Sequence, residues 1–131
     1  MDYIAIATFG TVGAVLRYFV SVMAAQWWQH PFPLGTLAVN LTGCLLLGWF
    51  WQKISISAKY PAWFQTGVST GLIGSFTTFS AFSAETLQLL QADQPFWAFV
   101  YVLSSSTGGL LSAWLGTKLA RRETGDKDGQ S

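Results

Sequence analysis

Charge is what this chain has least of. Asp, Glu, Lys and Arg make up 10% of its 131 residues, whereas 51% are hydrophobic; a soluble domain is about 25% charged. So few charges cannot cover a water-facing surface, and lipid needs none. The net charge is +1, without the clustered basic face that nucleic acid calls for, which excludes that partner. Cys44 is the only cysteine, which excludes an intrachain disulfide and a Cys-based zinc site. Its place in an apolar run reads as a small packing residue. His30, the only histidine, sits in a short loop far from any acid or nucleophile. That leaves neither a Ser-His-Asp arrangement nor a metal site, and no catalytic residue is assigned. The N-terminus lacks the basic stretch of a secretory signal and carries Arg17 inside its apolar run, so it reads as a retained helix.

What is present is four apolar runs, at about 3–27, 34–52, 62–91 and 96–119. Each meets the ~20 residues that a helix needs to cross a bilayer. The fold class is therefore an all-α membrane protein: a four-helix transmembrane domain over 1–120, then a polar, Gly-containing tail at 121–131 that reads as disordered. The 7 tryptophans mostly lie near the run ends, where interfacial aromatics belong. Four crossings place both termini on one side. Lys53 and Lys59 lie in the second loop, and Lys118, Arg121, Arg122 and Lys127 at the C-terminal end, while the first and third loops carry no Lys or Arg. The positive-inside rule puts the termini and the second loop in the cytoplasm.

The third run is too long for a simple crossing. As one helix, 62–91 would extend ~45 Å against a hydrocarbon core of ~30 Å. Its middle, GLIGSFTTFS at 71–80, is poor in helix formers. Two solutions fit. One is a break near the bilayer midplane, whose freed backbone must be buried in protein or line a polar cavity, as at ion and substrate sites. The other is a single tilted helix with a small-residue packing face, for which Gly67 and Gly71 are suitably spaced.

Polar residues recur where lipid should be. Asn40 lies near the middle of the second run between Thr36 and Thr42. Thr77, Thr78 and Ser80 follow in the third. The fourth carries Ser104, Ser105, Ser106, Thr107 and Ser112, with Tyr101, Ser105 and Ser112 on one helical face. They either line a narrow polar path or serve as interhelical hydrogen-bonding groups. Arg17 and Glu85 are each the only charge of their run, a costly placement that makes them functional candidates. They can pair with each other; alternatively Arg17 attracts an anion and Glu85, nearer its run's end, sits in a vestibule. Phe79 and Phe82 share a face, suited to core packing or to presenting positive ring edges to an anion. The start of a half-helix there would also offer unpaired N–H groups.

Four passages resemble a known family, the small fluoride channels called Fluc or CrcB. They are Gly10, Gly13, Arg17 and Tyr18; Pro33, Gly35, Thr36, Leu37, Val39 and Asn40, with Gly43 after them; the run TGLIGSFTTFSAFSAE from Thr70 to Glu85; and the Ser/Gly-rich fourth run. The resemblance implies passive fluoride export that lowers fluoride toxicity, in a multi-pass protein of the bacterial inner membrane. It implies an antiparallel, dual-topology dimer with two pores and a structural sodium ion at its centre. On this chain the sodium would be held by the backbone carbonyls of Gly74 and Thr77. Phe79 and Phe82 would be the pore phenylalanines and Asn40 the pore asparagine. Tyr101 and Ser105 would be the fourth-helix polar positions, with Thr78 and Ser80 on the anion pathway and Glu85 the vestibule acid. Two departures stand out: Ser75 follows Gly74 where the family often has a second glycine, and Gly109 stands where some relatives have serine. The Lys/Arg asymmetry runs against a homodimer inserted both ways. Homodimer and heterodimer with a paired homologue therefore both stand. The alternative function is a proton-coupled small multidrug-type exporter. It needs a midplane carboxylate, but Glu85 lies off the midplane and Arg17 disfavours cations.

Overall fold

The structure, a computed structural model, describes residues 2–57 and 59–129. Among them every regular element is helical. Helix α1 is Asp2–Trp27 and α2 is Leu34–Ile56; the third run divides into α3 (Ala62–Thr66), a π-helical stretch (Gly67–Ile73), α4 (Gly74–Phe76) and α5 (Phe79–Gln91); α6 is Pro95–Asp128. Three helices are long and apolar enough to cross a membrane, over Asp2–Trp27, Leu34–Ile54 and Pro95–Asp126. Large hydrophobic side chains cover the outside, Leu110 being 76% and Phe99 65% exposed, the inverse of a water-soluble surface.

Several hydroxyls on the helices find partners one turn back in their own helix. Thr8 and Thr11 donate to the carbonyls of Ile4 and Ala7, 2.7 and 2.8 Å away. Thr42, Ser106 and Thr107 do the same one turn back. This back-bonding lets a hydroxyl enter lipid without an orphaned proton.

The first loop is a hydrogen-bonded cap. Trp28 Nε1 donates to the Phe32 carbonyl at 2.8 Å, and His30 Nδ1 accepts from Phe32 N–H at 3.1 Å. The His30 ring also packs edge-on to Trp97. His30 is therefore not stranded; it shapes the loop. Between α5 and α6, Asp93 takes φ 55°, a conformation Asp tolerates better than most residues. Gln94 N–H reaches back to the Leu89 carbonyl at 3.0 Å. Pro95 then opens α6 at a position where no N–H is required.

Two of the expected boundaries are corrected. Helix α2 runs past 52 to Ile56, and α6 runs past 119 to Asp128, so the tail from 121 is helical rather than disordered. Arg121, Arg122 and Glu123 are fair helix formers, and Glu123 fastens the extension to α2. It pairs with Lys53 and accepts from Trp49 Nε1 at 3.4 Å. Gln130, Ser131 and the Lys127 side chain lie outside the described residues. At 34 residues, about 51 Å, α6 must project beyond a ~30 Å hydrocarbon layer.

The most extensive pairing is α2 with α6. It is close because a Cβ at Gly116 would run into the Leu45 carbonyl. Helix α1 packs on the divided third run in the same manner, with Gly13 against the backbone of Leu72.

Candidate functional site

The site is built around two residues that leave the helix. Thr77 (φ −79°, ψ 156°) and Thr78 (φ −147°, ψ 115°) are extended between α4 and α5. The stretch of poor helix formers at 71–80 is thus mostly helical, and only these two residues depart from it. Departing strands backbone groups, and one side chain answers for both groups of Thr78. The Asn40 amide donates to the Thr78 carbonyl at 3.2 Å and accepts from Thr78 N–H at 2.9 Å. Gly43, one turn further along α2, makes room: a Cβ there would strike the Thr77 side chain.

The exchange has a consequence for two carbonyls. In a continuous helix Thr78 N–H would bond to Gly74 and Ala81 N–H to Thr77. Here Thr78 N–H goes to Asn40, and Ala81 N–H goes to Thr78 Oγ1 at 3.2 Å, an N-cap for α5. The Gly74 and Thr77 carbonyls thereby lose their helical donors; the Thr77 hydroxyl, 3.5 Å from the Gly74 oxygen, is a weak substitute. Gly74 itself is exposed. These two neutral, hard oxygens suit a hard cation better than a soft one. Among the described residues no group of His, Cys, Asp or Glu is placed to hold a metal.

A cavity of about 400 Å³ opens beside the interruption. Asn40, Thr78, Phe79, Phe82 and Ser105 line it, together with Cys44. The Ser105 hydroxyl is buried and has no hydrogen-bond partner among the described residues. That separates it from Ser106 and Thr107, whose protons are already used. The α5 N-terminus borders the same space, with Phe79 and Ser80 at positions whose N–H groups have no intrahelical acceptor.

Aromatic and polar contacts continue from this cavity to a second one. Phe79 and Phe82 have ring centroids 5.8 Å apart, and Phe82 and Tyr101 5.1 Å. Tyr101, fully buried, donates to Glu85 Oε2 at 2.9 Å, and Thr36 donates to Glu85 Oε1 at 2.8 Å. Glu85 and Thr36 also line a hollow of about 290 Å³ under the first loop, with His30 and Gln88. Glu85 thus stands between the packed aromatics and an open vestibule, each oxygen held by a hydroxyl.

Other expected residues are placed differently. No ion pair joins Arg17 to Glu85 among the described residues, and Arg17 Nε is buried without a partner. Ser80 is exposed, its hydroxyl 3.4 Å from that of Thr78. Ser112 shares the Ser105 face but not the cavity lining. Cys44, read as packing, is a cavity-lining residue. The contributions of Cys44, Gly43 and Thr36 were readable in principle: with Asn40 they occupy one face of α2 at helical spacing.

The chain matches the family described as CrcB-like protein, Camphor Resistance (CrcB), over residues 4–117. It is similar to "Fluoride-specific ion channel FluC 1" of Bacillus cereus (strain ATCC 10987 / NRS 248), at 45% identity across 89% of this chain and 85% of that protein. It is also similar to "Fluoride-specific ion channel FluC 2" of Geobacillus kaustophilus (39%, covering 94% and 95%) and to "Fluoride-specific ion channel FluC" of Azotobacter vinelandii (38%, covering 90% and 95%).

Proposed function

This chain belongs to the CrcB-like family, and from that premise we propose that it is a fluoride-selective channel that lets fluoride leave the cytoplasm passively. The family is one of ion channels and not of enzymes, and the chain is a multi-pass membrane protein. The observation that carries the reading is the cavity in which Phe79 and Phe82 share walls with Asn40, Thr78 and an uncommitted Ser105 hydroxyl. Fluoride is small and strongly hydrated, so it enters a protein only where donors replace its water. The Ser105 O–H, the second N–H of the Asn40 amide and the first N–H groups of α5 are such donors. The ring edges of Phe79 and Phe82 supply weaker positive surface beyond them. Tyr101 and Thr36 keep Glu85 engaged at the far end.

The third run then makes the remaining crossing, interrupted near the midplane. Phe79 is 80% exposed and Gly74 is exposed on the single chain. A second copy, inserted the opposite way, covers both. Two carbonyls from each chain, those of Gly74 and Thr77, would hold a sodium ion between the copies. When bound, that ion neutralises carbonyl ends that would otherwise face one another. Asn40 and the Thr78 cap hold those carbonyls out of the helix. The exporter alternative draws no support from the family match.

The test is fluoride efflux from proteoliposomes containing the purified chain alone, read with a fluoride electrode beside a chloride control. Fast fluoride efflux with little chloride efflux, lost in Phe79→Ile, is expected. Equal chloride efflux would remove the selectivity claim. Efflux only after co-reconstitution with a paired homologue would replace the homodimer by a heterodimer, and efflux that needs a proton gradient would restore the exporter.

A further inference from the structure

A further hollow lies away from the proposed pathway, at the lysine-rich end. It measures about 680 Å³ and is bordered by the end of α2, by Ser57, Lys59 and Tyr60, by Phe64 of α3 and by the α6 extension. Its walls are aromatic: Trp49, Phe50, Tyr60 and Phe64. Tyr60 and Phe64 stack with centroids 5.5 Å apart, and Gln65 Nε2 donates to the Tyr60 carbonyl at 2.8 Å, so Tyr60 is tied to α3.

Two lysines enter this space in different states. Lys53 is committed, paired with Glu123 and lying 5.0 Å from the Trp49 ring centroid. Lys59 is exposed, and no carboxylate pairs with it among the described residues. Lys118, Arg121 and Arg122 on α6 add positive field at the same end. The connection joins two apolar runs, so the hollow stands at headgroup depth, where aromatic and basic residues gather. We propose that this hollow binds an anionic phospholipid: Lys59 takes the headgroup phosphate and the aromatic walls take the glycerol and upper acyl chain. Free phosphate would use the lysine but leave the aromatic walls exposed. A zwitterionic lipid would use the walls but bring a cation towards Lys59. Charge and apolar surface together favour one occupant, an anionic phospholipid. This inference does not rest on the fluoride reading, and either can fail alone.

Native mass spectrometry of the full chain in detergent tests it, with phosphatidylglycerol and phosphatidylcholine as probes. One phosphatidylglycerol per chain is expected to bind in preference to phosphatidylcholine. Lys59→Gln should weaken it about fivefold, in line with the usual contribution of one basic residue to anionic-lipid binding, and Lys59→Arg should restore it. Lys118→Gln, whose amine lies over Trp114 outside the hollow, removes only part of the surrounding field and should weaken it by less than about twofold. Equal binding of the two lipids overturns the proposal, as does displacement of phosphatidylglycerol by millimolar inorganic phosphate. Equal loss in Lys59→Gln and Lys118→Gln also overturns it, because the attraction would then be diffuse surface charge.

Discussion

Two helix pairs in this protein use the same residue types to opposite ends. Helices α2 and α6 meet through Gly48, Gly108 and Gly116, and both stay continuous. Helix α1 meets the third run through Gly13 and Gly71, and that run passes through a π-helical stretch and then an interruption. Glycine at a contact therefore does not stop a helix. What distinguishes the third run is a substitute for the lost hydrogen bonds, the Asn40 amide on Thr78, with Gly43 clearing the approach. The first pair is scaffold, and the second, with Asn40 reaching across from α2, carries the proposed site.

The largest test of that distinction is Asn40→Leu. It orphans the Thr78 N–H and carbonyl together, each costing about 1–3 kcal/mol and more where lipid excludes water. A clear fall in thermal stability and loss of fluoride efflux are expected. Unchanged stability would mean that the interruption does not depend on Asn40, and the comparison would collapse. A matched pair sharpens it. Gly116→Ala pushes a methyl at the Leu45 carbonyl and Gly43→Ala pushes one at Thr77. Overpacking of this kind costs about 1–3 kcal/mol at either place. Efflux per folded channel should survive the first change and fail in the second. Equal efflux would erase the line between scaffold and site.

A smaller effect is expected at the far end of the aromatic chain. Tyr101→Phe keeps the ring contacts with Phe82 and Phe32 but removes one donor from Glu85. A hydrogen bond to a charged group is worth about 1.5–3 kcal/mol, and Thr36 remains on the other oxygen. Efflux should slow by about tenfold or less, with the protein still folded. A variant as inactive as Asn40→Leu would make Tyr101 part of the site's core.

How far the sequence carried follows from which forces act locally. Hydropathy alone decides α1, α2 and α6, and all three were legible. Where helix gives way inside 71–80 was not, because Gly74–Phe76 keep their turn through bonds such as Thr77 N–H to the Ile73 carbonyl, 3.0 Å. Their interruption depends on Asn40, far away in sequence. The shared face of Phe79 and Phe82 was legible from spacing; the Tyr101–Glu85 bond was not, since it joins two helices across a turn. The helical tail was missed because its composition is polar and its support comes from α2.

That support defines the smallest expected effect. Lys53→Gln removes the ion pair with Glu123 and the contact with the Trp49 ring. The partners' side chains are 30% and 51% exposed, so solvent screens the pair and its loss should cost at most about 1 kcal/mol. Fluoride efflux should be unchanged, because this end lies outside the proposed pathway. Limited proteolysis is the sensitive readout: cleavage within 121–129 should quicken as the extension loosens from α2. If cleavage is unchanged, the α6 extension does not depend on the Lys53–Glu123 pair. If efflux falls instead, this end of the α2–α6 scaffold is coupled to the site, and the separation drawn between the two pairs is too sharp.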